Sequence, residues 1–152
     1  MDTKTVLFGS DHAGYPLKEI LKEYLRAKGY DVQDLGPHTE QSCDYPVYAA
    51  EVAKHVLASG RVGILICGSG MGMSMTANRF KGIRAALCTN EFLARMSRRH
   101  NNANILCLGH RVIGQDLAKS IVDTFLENEF EDGRHKRRVD LIDDPDLTSC
   151  QL

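Results

Sequence analysis

Apolar residues along this chain fall alternately into short unbroken runs and into stripes at helical spacing. Thr5 to Gly9 is such a run. Behind it Leu17, Ile20, Leu21, Tyr24 and Leu25 recur every three or four positions, with Pro16 near the start of the stripe and Gly29 just past its end. A short run suits a strand, and the stripe is the core-facing side of an amphipathic helix. Asp31 to Leu35 reads as a second, shorter strand. Ala49, Val52, Ala53, Val56 and Leu57 form the next stripe, after Tyr45-Pro46 and closed by Gly60. Val62 to Cys67, Ile83 to Cys88 and Ile105 to Leu108 read as the third, fourth and fifth strands, separated by helical segments around Met71 to Arg79 and Asn90 to His100. A last stripe, Leu117, Ala118, Ile121, Val122 and Phe125, follows.

Strands alternating with helices predict a parallel sheet covered on both faces, a three-layer α/β/α sandwich with a five-stranded, Rossmann-like sheet. Ligands of such sheets bind beyond the carboxyl ends of the strands. The unusual polar residues stand there: Ser10-Asp11-His12 after the first strand, Cys67 to Ser74 after the third, and Gly109-His110-Arg111 after the fifth. Three loops are thus expected at one edge.

Composition narrows the picture. With 152 residues the chain suits one domain spanning 1–152, whose charged stretch 128–152 differs in character from the rest. The formal net charge of -1 gives the whole molecule no field for nucleic acid or an acidic membrane surface. The short basic run Arg134-His135-Lys136-Arg137-Arg138 has no interleaved aromatics for stacking on bases. No stretch reaches transmembrane length, and a cytoplasmic location is expected. Five widely spaced cysteines, Cys43, Cys67, Cys88, Cys107 and Cys150, include no C-x-x-C pair, so a reduced compartment fits. Cys88 and Cys107 lie in apolar segments and read as small hydrophobes. No H-x-x-x-H pair or carboxylate cluster marks a metal site.

Cys67 is different, because Gly68-Ser69-Gly70-Met71-Gly72-Met73-Ser74 follows it directly. This places a thiol at a strand end beside a flexible loop whose N–H groups converge on an anion. The loop lacks the Lys-Ser/Thr of a nucleotide P-loop, and the first strand lacks the G-x-G-x-x-G of a dinucleotide site. No arginine closes the loop before Arg79, which disfavours phosphoryl chemistry on the thiol. A base or nucleophile beside developing oxyanion charge remains.

Ser10-Asp11-His12-Ala13-Gly14, Asp44-Tyr45-Pro46, the Cys67 loop, Asn78, Gly82-Ile83-Arg84, His100-Asn101-Asn102-Ala103-Asn104, Gly109-x-Arg111-Val112 and Gly133-Arg134-His135-x-x-Arg138-Val139 together resemble the type B ribose-5-phosphate isomerases. The match runs in order from about Val6 to Val139. It implies an aldose–ketose isomerase of the pentose phosphate pathway, working without metal or cofactor as a homodimer or dimer of dimers, with sites shared between subunits and the 128–152 tail packing on the partner. By this resemblance Cys67 is the base that moves a proton between carbons 2 and 1 through a cis-enediolate. The loop Gly68, Ser69, Gly70, Met71 and Gly72 cradles that intermediate. His100, supplied by the neighbouring subunit, opens the furanose, Asp11 relays a hydroxyl proton, and Asn101 and Tyr45 contact the sugar. His12, Arg111, Arg134 and Arg138 bind the phosphate, and the i, i+4 spacing of the last two aligns them on one helical face.

Each residue also has a plainer reading. Cys67 alone would be a buried strand-end thiol, His12 a turn residue, Asp11 a helix cap, and His100 a charge closing a basic helix end. Relative to the family pattern, His110 replaces what is more often a small residue, and Ser69 stands where many relatives have threonine. Two other functions fit less of the pattern. A sister isomerase would act on galactose or allose 6-phosphate in a longer pocket, and a non-catalytic sugar-phosphate-binding module would have no need of Cys67.

Overall fold

In a computed structural model, which describes residues 4–144 and 146, the apolar runs and stripes become five strands and five helices in the expected alternation, and a sixth helix follows in the charged stretch. They are β1 (Thr5–Ser10), α1 (Tyr15–Ala27), β2 (Asp31–Asp34), α2 (Tyr45–Ser59), β3 (Val62–Cys67), α3 (Met71–Ala77), β4 (Ala85–Leu87), α4 (Glu91–Arg99), β5 (Ile105–Gly109), α5 (Gln115–Glu127) and α6 (Arg134–Ile142). The strands form one parallel sheet in the order β2-β1-β3-β5-β4. Cys150 and the end of the 128–152 stretch lie outside the described residues.

Side chains alternate across a strand, so each central strand feeds two cores. Val6 and Phe8 of β1, Ile64 and Ile66 of β3, and Leu106 and Leu108 of β5 join Leu17, Leu21 and Leu25 of α1 and Ile121, Val122 and Phe125 of α5. Leu7, Leu65, Cys67, Ile105 and Cys107 turn the other way, onto Ala49, Val52, Ala53 and Val56 of α2 and Met73 and Ala77 of α3. Helices therefore cover both faces, as the unbroken apolar runs require. Cys88 and Cys107 are buried, as expected of small hydrophobes.

The edge strand is shorter than its apolar run. The stretch from Ile83 to Cys88 contributes only Ala85–Leu87 to the sheet. Gly82 has a positive φ of 89°, and the N–H of Arg84 donates to the Asn104 side chain at 2.8 Å, so the chain enters the ladder late.

A buried ionic cluster, invisible to hydrophobic patterning, ties α1 to the sheet. Lys18 follows Leu17 on the inner side of α1 and is fully buried. Its ammonium donates to Asp34 at 2.9 Å and to the Pro37 carbonyl. Lys22 donates to the other Asp34 oxygen at 2.5 Å and to Glu19 at 2.6 Å. Gly36 donates its N–H to Asp34 at 2.9 Å and accepts from the N–H of Ser10 at 3.0 Å. The cluster thereby fixes the end of β1, where the first polar loop begins.

Burial by itself raises the pKa of Asp34, but the bonds from Lys22, Lys18 and Gly36 outweigh it and hold the carboxyl below its ordinary value. Burial dominates at Lys18 and lowers its pKa, while at Lys22 the bonds to Asp34 and Glu19 overcome burial and raise it. Removing one partner of a buried pair leaves an uncompensated charge, so Asp34→Asn is expected to destabilise the fold by about 3–5 kcal/mol in denaturant titrations. The folded pKa of Asp34 lies below its unfolded value, so its contribution is present above about pH 4 and lost as pH falls through the folded value. The thermal midpoint should drop as pH is lowered below about 4, and less steeply in Asp34→Asn.

Candidate active site

The sheet order places β1 beside β3 while α1 and α2 leave on opposite faces, which opens a crevice at their carboxyl ends. Backbone bonds close the strand ends around it. Asp11 donates its N–H to Ile66 at 3.2 Å, His110 to Cys67 at 2.9 Å, and Arg111 to Gly68 at 3.0 Å. Two glycines permit this approach. A Cβ at Gly14 would lie 2.2 Å from the Ile66 carbonyl oxygen, and one at Gly109 would lie 2.6 Å from the backbone of Ser69.

Eight of the residues singled out in the sequence meet in the resulting cleft of about 550 Å³: Asp11, His12, Tyr45, Cys67, Gly68, Ser69, Gly72 and Arg111. Ala13, Met75 and Val112 complete its wall. Cys67 is 5% exposed, so its sulfur is shielded from bulk water yet faces the cleft. The N–H of Gly70, which has a φ of 81°, donates to that sulfur at 3.0 Å. Burial pushes the Cys88 thiol up to about 11 and Cys107 well above its ordinary value, so both stay protonated.

The glycine loop thus divides its work. The Gly70 N–H serves the thiol, and the N–H of Met71 donates to the Ser69 hydroxyl at 3.2 Å. Neither Gly70 nor Met71 lines the cleft, which leaves Gly68, Ser69 and Gly72 facing it.

The remaining groups are held from several elements. One carboxylate oxygen of Asp11 accepts from the Gly14 N–H at 2.9 Å, so Asp11 closes the turn before α1 and is not its N-cap, which is Gly14, while it also lines the cleft. The N–H of Cys43 donates to Nδ1 of His12 at 3.2 Å. That leaves Nε2 as the N–H donor of the neutral ring. The sequence gives no sign of this role for Cys43, because a backbone donor has no side-chain signature. Tyr45 opens α2 beside Pro46, and its ring lies so close over Gly72 that a Cβ there would approach it within 2.6 Å. The guanidinium of Arg111 rests against Gly68.

His100 and Asn101 are elsewhere. They line a second cleft, of about 420 Å³, with His135, Arg138, Val139 and Ile142. The rings of His100 and His135 stack with centroids 4.1 Å apart and planes 12° apart. Glu131 faces both, its Oε2 being 3.7 Å from each Nε2, while Arg99 binds its Oε1. Burial lowers the pKa of His135, and His100 and Arg134 lower it further against the opposing pull of Glu131. Arg134 starts α6 and Arg138 follows one turn later, as their spacing predicted; Lys136 pairs instead with Asp140 at 2.8 Å. The tail packs partly on its own chain, since Val139 is buried and Asp143 accepts from the Gly82 N–H at 2.9 Å.

A thiol, a carboxylate, an imidazole and a guanidinium lining one cleft suit acid–base chemistry on a small anionic substrate. Comparison with known proteins agrees: the chain belongs to the Ribose/Galactose Isomerase family, whose model matches residues 6–142. Ribose-5-phosphate isomerase B of Escherichia coli K12 is 47% identical over 141 residues, covering 91% of this chain and 94% of that protein. A crystal structure of a ribose 5-phosphate isomerase from Thermotoga maritima superposes with a TM-score of 0.91 at 51% identity, over 93% of this chain and 99% of that one. Ribose-5-phosphate isomerase B of Mycoplasma genitalium, solved with bound ribulose-5-phosphate, superposes with a TM-score of 0.88 at 45% identity, over 91% and 93% of the two chains. Among the described residues no helix is long and apolar enough to cross a membrane.

Tyr45 and Gly72 give a test of the cleft that leaves the thiol untouched. Gly72→Ala should push the ring aside, since Tyr45 is 40% exposed and free to move, and circular dichroism should show the fold retained. Turnover of the pentose phosphate should fall about tenfold or more from lost positioning.

Proposed function

We propose that this chain interconverts D-ribose 5-phosphate and D-ribulose 5-phosphate, with Cys67 as the proton-transferring base. The observation that carries the reading is the convergence of Cys67, with the Gly70 N–H on its sulfur, and Asp11, His12, Tyr45 and Arg111 in one cleft. The similar Mycoplasma genitalium enzyme holds ribulose-5-phosphate. The thiolate of Cys67 takes the proton from carbon 2, and the electron pair becomes the double bond between carbons 1 and 2 while charge moves onto the carbonyl oxygen. Gly68, Ser69 and Gly72 face this enediolate. Asp11 relays the proton from the carbon 2 hydroxyl to the oxygen on carbon 1, and Cys67 returns its proton to carbon 1. His12 and Arg111 hold the phosphate, Arg111 through its planar fork.

The site is completed by a second copy of the chain. His100, Asn101 and Arg138 share a cleft that contains neither Cys67 nor Asp11, so one subunit carries the isomerisation half and presents the ring-opening half to its partner. Exposed apolar side chains near the first cleft support this: Met71 is 52% and Met75 65% exposed on α3, and Val47 is 63% exposed on α2. Arg134 and Arg138 would reach the partner's phosphate from the tail. His110 would alter phosphate affinity or touch the partner. The assembly is a homodimer or a dimer of dimers in the cytoplasm.

Purified protein with chelator present should convert ribose 5-phosphate to ribulose 5-phosphate, and Cys67→Ala should lower turnover by about 100-fold or more. Undiminished turnover in that variant would sink the reading. A side-by-side assay on five- and six-carbon aldose phosphates separates it from a hexose 6-phosphate isomerase and from a silent binding module. Replacing His100 by Asn should slow reaction from the furanose more than isomerisation of the linear ketose. Equal losses in both directions would remove His100 from ring opening.

A further inference from the structure

Outside the cleft of Cys67, one cluster brings three unlike ligating groups to a point. His100 ends α4, Glu131 lies in the segment before α6, and His135 lies in the first turn of α6, so three parts of the chain contribute. Their ligating atoms all lie within 4.8 Å of one another, and both Nε2 atoms stand 3.7 Å from the same carboxylate oxygen. A tetrahedral zinc with bonds of about 2.0–2.1 Å holds its ligand atoms about 3.3 Å apart, close to the spacing here, and binding would turn the two imidazoles out of their stack so that both ring planes meet at the ion.

We propose that His100, Glu131 and His135 form a three-ligand site for a zinc-class divalent cation, and that its occupation inhibits the enzyme by taking His100 out of proton transfer. Two imidazoles and one carboxylate select zinc, cobalt or nickel over magnesium and calcium, which prefer all-oxygen shells. Arg99 already binds Oε1 of Glu131, and such an outer partner fixes the carboxylate while leaving Oε2 for the ion. The stacked rings present their Nε2 atoms to the same side, with a fourth position left to water or substrate. Such a site is regulatory because the proposed isomerisation uses no metal.

Binding of the ion stands independently of the proposed function; only its effect on turnover rests on His100 acting in catalysis. Calorimetric titration of metal-free protein with zinc chloride should show one site per chain. Glu131→Gln and His135→Gln, checked for wild-type melting, should each weaken it about tenfold or more. Cobalt in place of zinc should give d–d absorption without a thiolate charge-transfer band. Unchanged affinity in both variants, or a thiolate band pointing to Cys67 or Cys43, overturns the site. Saturating zinc should reduce isomerase turnover at least about tenfold, reversibly with chelator, and His135→Gln should lose most of that sensitivity. Full turnover of the zinc-loaded protein overturns the inhibition. If the chain isomerises neither pentose nor hexose phosphate, the functional reading fails while the titration still decides the site.

Discussion

Direct backbone contact between the carboxyl ends of three neighbouring strands is the constraint on which the rest depends. Asp11 bonds to Ile66 and His110 to Cys67, while Gly14 and Gly109 leave no room for a Cβ at their contacts. Side chains that emerge from these ends have little choice of position. Asp11, Cys67 and Arg111 meet because their backbones meet, which is how a short chain assembles a site without a dedicated domain. The ionic cluster of Lys18, Lys22 and Asp34 serves the same end from behind, by holding Gly36 against Ser10.

Three buried cysteines show how environment separates chemistry from packing. Cys67, Cys88 and Cys107 all come from apolar strand-like segments and are all nearly inaccessible. Cys107 lies within β5 and Cys88 just past β4, where burial drives their pKa values up and leaves neutral thiols that pack like small aliphatics. Cys67 is the last residue of its strand, so its sulfur meets the first turn of the following loop, and Gly70 supplies a donor there. Strand position, at constant residue type, sets Cys67 apart, because among the three it is the one that lines the cleft.

The same chain carries a second group of functional side chains that it does not bring to the first. His100, Asn101 and Arg138 gather between the end of α4 and α6, and Glu131 and His135 join them. Under the proposed function, a split of this kind would couple activity to assembly, each half gaining its complement from another copy. It also leaves His100 next to groups the isomerisation does not require, and a carboxylate shared by two stacked imidazoles is open to control by an ion.

Much of this was written in the sequence, for local reasons. Period and run length specified five strands and their helices, since side-chain alternation and helical spacing depend only on near neighbours. The Cys67 loop, the Asp11-His12 pair and Arg111 were legible because they sit at strand ends, which a parallel sheet aligns whatever the details of its packing. Tertiary structure decided what depends on distant parts of the chain. It buried Lys18 opposite Asp34, aimed the Cys43 N–H at His12, gave the Gly70 N–H to sulfur rather than to the cleft, and stacked His100 on His135 beside Glu131. No periodicity encodes these pairings, because each partner lies on a separate element or is a backbone group common to every residue.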